Sequence, residues 1–202
     1  MTPPSITLRQ WKDADLEPYA AMNADPKVMQ YFPKSLSPAE SKESLLRFRS
    51  GIDQHGWGLW AVEVDGVFAG FTGLAEPSFS AHFTPCVEIG WRFRPEFWGR
   101  GIAYAAALAA ESFAFQELKL SELVSLTAAI NARSRRLMER LEFTRRESDD
   151  FAHPSIPEDS PLRSHILYRK PNKPYAANPA RASFFHTGSQ RRGVADTGRS
   201  PA

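Results

Sequence analysis

The chain has little cysteine and no long apolar run, and both absences limit what it can be. Cys86 is the single cysteine, so neither an internal disulfide nor a cysteine-rich zinc site can form. The longest uninterrupted apolar run, residues 102–110, is far shorter than the ~20 residues that a membrane-spanning helix needs. The N-terminus also lacks the basic-then-apolar order of a signal peptide. We therefore expect a cytoplasmic protein with no membrane partner and no metal.

An excess of charge of one sign is also lacking. The chain has 25 Lys and Arg against 23 Asp and Glu, a net charge of +2. Residues 171–202 hold five of the basic residues and one acidic residue, which leaves residues 1–170 slightly acidic. This composition gives no indication of nucleic-acid binding. The terminal segment is rich in Pro, Gly, Ser and Arg without a periodic apolar face, so we expect a disordered basic tail after one domain over residues 1–170.

The periodicity of apolar residues predicts a mixed α/β chain. Strands are expected at 6–10, 56–64, 67–74, 86–93, 123–127, 143–151 and 163–168, and helices at 14–24, 38–51, 102–117 and 132–141. The second helix has the clearest start, because Ser37, Pro38 and Glu40 form a capping box with proline at the first helical position. Asp13 is expected to cap the first helix, and Gly51 to end the second.

A glycine-rich turn precedes the alanine-rich helix at 102–117. The first turn of a helix has backbone N–H groups without partners and a partial positive charge. Gly99 and Gly101 would let a phosphate approach this backbone, and Arg100 could add a charge-assisted contact. The turn is not a P-loop, because no Gly-Lys-Ser/Thr follows, and Tyr104 occupies the third glycine position of a dinucleotide fingerprint. By itself the pattern leaves a plain tight turn open.

Three segments together resemble a known family. Residues 88–103, EIGWRFRPEFWGRGIA, resemble the acetyl-CoA-binding core of the GNAT superfamily of N-acetyltransferases, in the variant typical of its RimJ/RimL-like branch of ribosomal-protein N-terminal acetyltransferases. Residues 131–143 are similar to the family pattern Asn-x-x-Ser followed by Leu-Gly-Phe, with Glu142 in place of the glycine. Residues 153–168 resemble the last strand of this branch. The resemblance covers residues 5–170 and implies a GNAT-type mixed α/β fold. This has a mostly antiparallel twisted sheet of six or seven strands, splayed at its centre, with about four flanking helices.

The resemblance also implies a cofactor and its site. Acetyl-CoA would donate the acetyl group directly to an amine in a ternary complex. Its pyrophosphate would bind the backbone N–H groups before the alanine-rich helix, and its pantetheine arm would pair with backbone groups of Trp91 and Phe93 between two strands. An N–H on that strand would also stabilise the developing oxyanion. The residues implied to bind the cofactor are Trp91, Phe93, Trp98, Gly99, Arg100, Gly101, Ile102, Ala103, Asn131 and Ser134.

The catalytic residues implied by the resemblance are Glu88 and Ser134. Glu88 lies within an otherwise apolar strand, where a carboxylate is unfavourable unless it is paired or has a raised pKa. It is therefore expected to act as the base, or in a relay to the base, with a structural hydrogen bond or an amine contact as the alternative. Ser134 would stabilise the departing thiolate. His153 and His165 are less favoured bases, and direct transfer leaves no role for Cys86 as a nucleophile.

The acceptor and the oligomeric state stay open. The acceptor could be a protein N-terminus or a small-molecule amine, and the protein could be a monomer or a homodimer. Because Glu142 and Tyr104 depart from the family pattern, a non-catalytic acyl-CoA-binding or sensing module is the alternative function. Specificity is expected from segments 25–57, 75–85 and 151–164. The candidate acceptor-lining residues are Asp25, Tyr31, Phe32 and Glu76.

Overall fold

A computed structural model describes residues 4–172, so nearly all of the expected basic tail lies outside the described residues. The helices are α1 (Leu16–Ala24), α2 (Pro26–Met29), α3 (Pro38–His55), α4 (Ile102–Gln116) and α5 (Ala132–Arg140). The strands are β1 (Ile6–Arg9), β2 (Leu59–Val64), β3 (Val67–Ala75), β4 (Glu88–Phe93), β5 (Glu122–Ala128), β6 (Thr144–Arg145), β7 (Phe151–Ala152) and β8 (Ser164–Pro171). The expected mixed α/β GNAT-type fold is confirmed. Within residues 4–172, no helix is both long and apolar enough to cross a membrane.

The strands form one sheet that opens at its centre. The order is β1-β2-β3-β4-β5-β8-β6, with β7 also paired to β8. Every pairing is antiparallel except that of β4 with β5, where the register joins only Glu88 to Val124. The hydroxyl of Ser125 donates to the Ile89 carbonyl at 2.9 Å, and beyond this bridge the two strands diverge. The splayed central strands are therefore confirmed, and the gap begins after Ile89.

The ends of the first helices differ in part from the prediction. The capping box before α3 is present, because the Glu40 N–H donates to the Ser37 hydroxyl at 3.2 Å and the Ser37 N–H donates to the Glu40 carboxylate at 2.8 Å. The helix does not end at Gly51 but at Gly56, which has a left-handed φ of 76°. Asp13 is not the cap of α1, because a 3-10 turn over Asp13–Asp15 precedes the helix.

The strand predicted over 143–151 is wrong. A 3-10 turn at Glu147–Asp149 separates β6 from β7. The two short strands pair with different parts of β8, since Thr144 lies opposite Arg169 and Phe151 lies opposite His165. The intervening residues, 146–150, are all polar and do not alternate with apolar ones, so a continuous strand would bury no apolar face there.

The two faces of the sheet carry separate cores. On one face, α4 packs its buried alanines against Ile89 and Phe93 of β4. On the other face, α1 and α3 contribute Tyr19 and Leu45, which pack with Phe71 of β3. Small alanine side chains let α4 approach the sheet closely. This packing fixes the start of α4 beside the open end of β4.

Candidate active site

A cavity of about 820 Å³ opens where β4 and β5 separate. Gly99 and Gly101 from the turn before α4 line this cavity, and so do Glu88 of β4 and Ser134 of α5. The segment after α2 and the loop after β7 complete its wall. The cavity therefore joins the expected phosphate site to the expected catalytic residues.

The turn before α4 is open. Gly99 and Gly101 have φ values of 73° and 76°, in the left-handed region that favours glycine. A Cβ added to either glycine would meet no atom within 4 Å, so no side chain plugs the mouth. No side chain caps α4. The Ala105 N–H donates to the Gly101 carbonyl at 3.0 Å. The N–H groups that precede it in the first turn therefore have no partner within the helix.

The basic side chains around this turn differ from those expected. The Arg100 guanidinium lies over the ring of Phe97, 5.6 Å from its centroid, and Arg100 is not among the residues that line the cavity. Three arginines on one face of α5 line it instead, at i, i+3 and i+7 spacing: Arg133, Arg136 and Arg140. The Arg133 guanidinium lies 3.8 Å from the centroid of the Trp98 ring, which holds α5 over the turn. This helical spacing was visible in the sequence, although its place beside the turn was not.

The backbone of β4 faces the gap at alternate residues. The Arg94 N–H donates to the Ala69 carbonyl of β3 at 2.9 Å, which sets the phase of the antiparallel ladder. Because hydrogen-bonded pairs alternate in such a ladder, the backbone groups of Trp91 and Phe93 point away from β3 and into the gap. The Phe93 carbonyl accepts the Trp98 indole N–H at 2.8 Å. Both backbone groups of Trp91 therefore face the space between the strands.

Asn131 and Ser134 lie together at the start of α5. The Asn131 side-chain oxygen accepts the Ser134 N–H at 3.2 Å, which caps the helix. The Asn131 side-chain nitrogen donates to the Thr127 hydroxyl of β5 at 3.0 Å. These two bonds fix α5 to the end of β5 and set Ser134 against the cavity.

The carboxyl group of Glu88 is half-buried in the wall of the cavity. It has no hydrogen-bond or ion-pair partner among residues 4–172, although it reaches the cavity that it lines. Burial raises the pKa of this carboxyl to about 8. A carboxyl with this pKa exchanges its proton near neutral pH.

The other expected titratable residues are less suited to proton transfer or attack. The rings of His153 and His165 lie 4.8 Å apart and both line the cavity. Burial lowers the pKa of His165 to about 4 and also lowers that of His153. Burial and the neighbouring Glu88 raise the pKa of the Cys86 thiol to about 11, which leaves little thiolate at neutral pH.

The acceptor side of the cavity matches the sequence analysis only in part. Tyr31 and Phe32 line the cavity, but Asp25 and Glu76 do not. Asp25 instead caps α2, where its side chain accepts a backbone N–H. Sequence reasoning missed Arg92, a β4 residue that also lines the cavity. Among the described residues, no group of three or more His, Cys, Asp or Glu side chains could hold a metal ion.

Comparison with known proteins gives one family. Residues 5–144 match the family model for an acetyltransferase (GNAT) domain. The chain is 36% identical over 87 residues to FsC-acetyl coenzyme A-N(2)-transacetylase of Aspergillus fumigatus, a match that spans 41% of this chain and 37% of that relative. The fold is similar to the crystal structure of an acetyltransferase from Agrobacterium tumefaciens, with a TM-score of 0.65, 24% identity and coverage of 84% of this chain and 95% of that one. It is also similar to spermidine N-acetyltransferase from Vibrio cholerae in complex with CoA and spermine, with a TM-score of 0.65, 18% identity and coverage of 83% and 96%.

These similarities agree with the cavity, in which an open helix start, a gap between parallel strands and a carboxyl of raised pKa meet. They give no sign of the non-catalytic module that the sequence left open. Because the family match spans more than half of the chain, the protein belongs to the GNAT family and is an acetyl-CoA-dependent N-acetyltransferase.

Proposed function

We propose that the protein acetylates a primary amine, on a protein N-terminus or a small molecule, by direct attack within a ternary complex. The observation that carries this proposal is the cavity that joins the Gly99 and Gly101 turn to Glu88. An amine and a thioester can meet in such a cavity without an acetylated enzyme. The raised pKa of Cys86 further disfavours a covalent route.

The donor end of the cavity fits the parts of acetyl-CoA, which supplies an activated acetyl thioester when bound. The backbone N–H groups from Trp98 to Ala103 would hold the pyrophosphate. The α5 arginines would add positive charge beside it, in the role first expected of Arg100. The backbone groups of Trp91 would pair with the pantetheine arm, as an added strand would. Asn131 would contribute mainly by holding α5 in place.

Glu88 is proposed as the base and Ser134 as the group that meets the leaving thiolate. An amine must be neutral to attack, so its proton has to leave before or during the reaction. With its pKa raised to about 8, the Glu88 carboxylate binds a proton far more strongly than an exposed carboxylate does. It would take the proton directly or through a water. The Ser134 hydroxyl would donate a hydrogen bond to the thiolate.

Two classes of acceptor are each supported by a different observation. The Trp98-Gly99 turn and the Asn131-x-x-Ser134 motif support the RimJ/RimL-like branch, which acts on protein N-termini. The similarity to a spermidine N-acetyltransferase supports a small-molecule amine instead. Both readings use the same donor site and the same base.

The test is thiol release from acetyl-CoA with a panel of peptides and small amines. We expect Glu88→Gln to lower kcat by about 100-fold or more, because general-base catalysis contributes ~10²–10⁴-fold. The Kd of acetyl-CoA should stay within about twofold, since Glu88 lies at the acceptor end. Glu76→Gln is the matched control, because Glu76 is exposed and lies outside the cavity wall. Absence of thiol release with every amine, or equal turnover in the wild type and Glu88→Gln, would contradict the proposal.

A further inference from the structure

Arg92 is a charged residue of the cavity for which the transfer chemistry has no use. Its Nη1 donates to the Asn23 side-chain oxygen at 2.7 Å, and its guanidinium lies 4.0 Å from the centroid of Phe32 and 5.4 Å from that of Phe71. No carboxylate among residues 4–172 forms an ion pair with it. Its Nε is buried without a hydrogen-bond partner. The structure thus holds a cation in place and leaves most of its donors unused.

The surroundings of Arg92 make an unpaired cation unfavourable. Burial lowers the pKa of this guanidinium to about 10, so it stays charged at neutral pH in a site that disfavours the charge. Asn23 and the two rings compensate only in part, because a neutral amide and a π face bind a cation more weakly than a carboxylate does. A bound anion would supply the missing partner.

Arg92 lies on the acceptor face of β4. Side chains alternate along a strand, so Glu88, Gly90 and Arg92 share one face while Ile89 and Phe93 pack in the α4 core. The contacts of Arg92 with Asn23 and Phe32 show that this face looks toward α1 and the segment after α2. Gly90 lies between Glu88 and Arg92 on this face and adds no side chain there.

The charges of the wall favour an anionic group over a second cation in the acceptor. Glu88 is the one carboxylate among the described residues that line the cavity. The basic residues that line it away from the α5 arginines of the donor end are Lys27 and Arg92. A polyamine would place several positive charges in this cavity with a single carboxylate to receive them.

We propose that the acceptor is an amine that also carries a carboxylate, and that Arg92 binds this carboxylate while the amine lies toward Glu88. This inference rests on the proposed function. The α-carbons of Glu88 and Arg92 are four positions apart along the strand, a span of about 13 Å. That span favours an amine and a carboxylate separated by several carbons, as in an ω-amino acid. Guanidinium and carboxylate match in shape, so the contact selects for a planar anion.

The experiment compares acceptors that differ only in this charge. Thiol release is measured with glycine, 4-aminobutyrate and 6-aminohexanoate, each beside its uncharged carboxamide, and with spermidine. We expect wild-type kcat/KM for the best carboxylate to exceed that for its amide by at least 10-fold. Arg92→Met should bring this ratio close to one, a loss of about 10- to 100-fold that corresponds to one charge-assisted hydrogen bond. Arg92→Lys should restore part of the ratio.

The control and the contradicting results are distinct. Arg94→Met makes the same change two residues along the chain, outside the cavity wall, and should leave the ratio unchanged. Equal use of every carboxylate and its amide, or a preference for spermidine, would overturn this inference while the acetyltransferase assignment stands. If Arg92→Met fails to fold, the wild-type ratios and Arg92→Lys still decide. Absence of thiol release with every amine, including the amides, would remove the proposed function and this inference with it.

Discussion

Replacing Glu88 by glutamine tests the environment of the proposed base through the stability of the fold. The pKa of this carboxyl is raised from 4.5 to about 8, because burial disfavours its ionised form. The folded protein therefore holds the proton more tightly than the unfolded chain does. This contribution to stability is fully present below pH 4.5 and is lost as pH rises through about 8. Glutamine does not titrate, so the Glu88→Gln variant does not lose this stability as pH rises.

The magnitude follows from the size of the shift. At 1.36 kcal/mol per pKa unit, a rise from 4.5 to about 8 corresponds to ~5 kcal/mol of lost unfolding free energy. This is an upper bound, since the side chain reaches cavity water and part of its charge is screened. We expect Glu88→Gln to gain about 2–5 kcal/mol relative to the wild type between pH 5 and pH 9.

The assay is urea unfolding of wild type, Glu88→Gln and Glu76→Gln at pH 5, 7 and 9. Glu76 is exposed and lies one position beyond Ala75, the β3 residue opposite Glu88, so Glu76→Gln should unfold as the wild type does at each pH. A gap between Glu88→Gln and the wild type that does not change with pH would refute the reasoning. In that case Glu88 would ionise as an exposed carboxyl does.

Three further predictions concern the same cavity. The pH profile of kcat should rise with an apparent pKa near 8 in the wild type, and Glu88→Gln should lack this rise with the same acceptor; identical profiles would contradict the assignment of the base. Asn131→Ala should lower the unfolding free energy by about 1 kcal/mol, because α5 loses its N-cap, and urea unfolding without a shift in midpoint would speak against that cap. Ser134→Ala should lower kcat by about 10-fold, the effect of one hydrogen bond to the thiolate, with little change in the Kd of CoA. Steady-state kinetics and calorimetry measure these two quantities, and an unchanged kcat would contradict this role of Ser134.

Local signals in the sequence predicted the parts of the fold that local chemistry determines. Ser37 and Glu40 cap α3 through atoms three residues apart, and the glycines before α4 adopt the left-handed backbone that suits them. Gly51 misled the prediction because glycine is tolerated within a helix when neighbours pack well, and Ile52 contacts both cores. The strand over 143–151 failed because pairing with a distant strand, rather than local alternation, determines β6 and β7.

The sequence predicted the residues of the site that belong to family motifs, but not the other residues that line the cavity. Family motifs pointed to Glu88 and to the turn before α4, whose geometry agrees with those expectations while their roles stay predictions. Arg92 and the arginines of α5 carry no motif, and only the tertiary fold brings them to the cavity. Arg100 was expected near the phosphate because it is adjacent in sequence, yet its side chain turns toward Phe97.

The binding of acetyl-CoA to Gly101→Glu tests most directly whether the turn before α4 is the phosphate site. Gly66→Glu is the matched control, because Gly66 has a similar φ of 83° and equally open space but lies in the β2–β3 turn. Both variants carry the same backbone strain, so only the place of the new carboxylate differs. Calorimetric titration should show at least a 100-fold weaker Kd for Gly101→Glu and an unchanged Kd for Gly66→Glu. Wild-type affinity in Gly101→Glu would contradict the account.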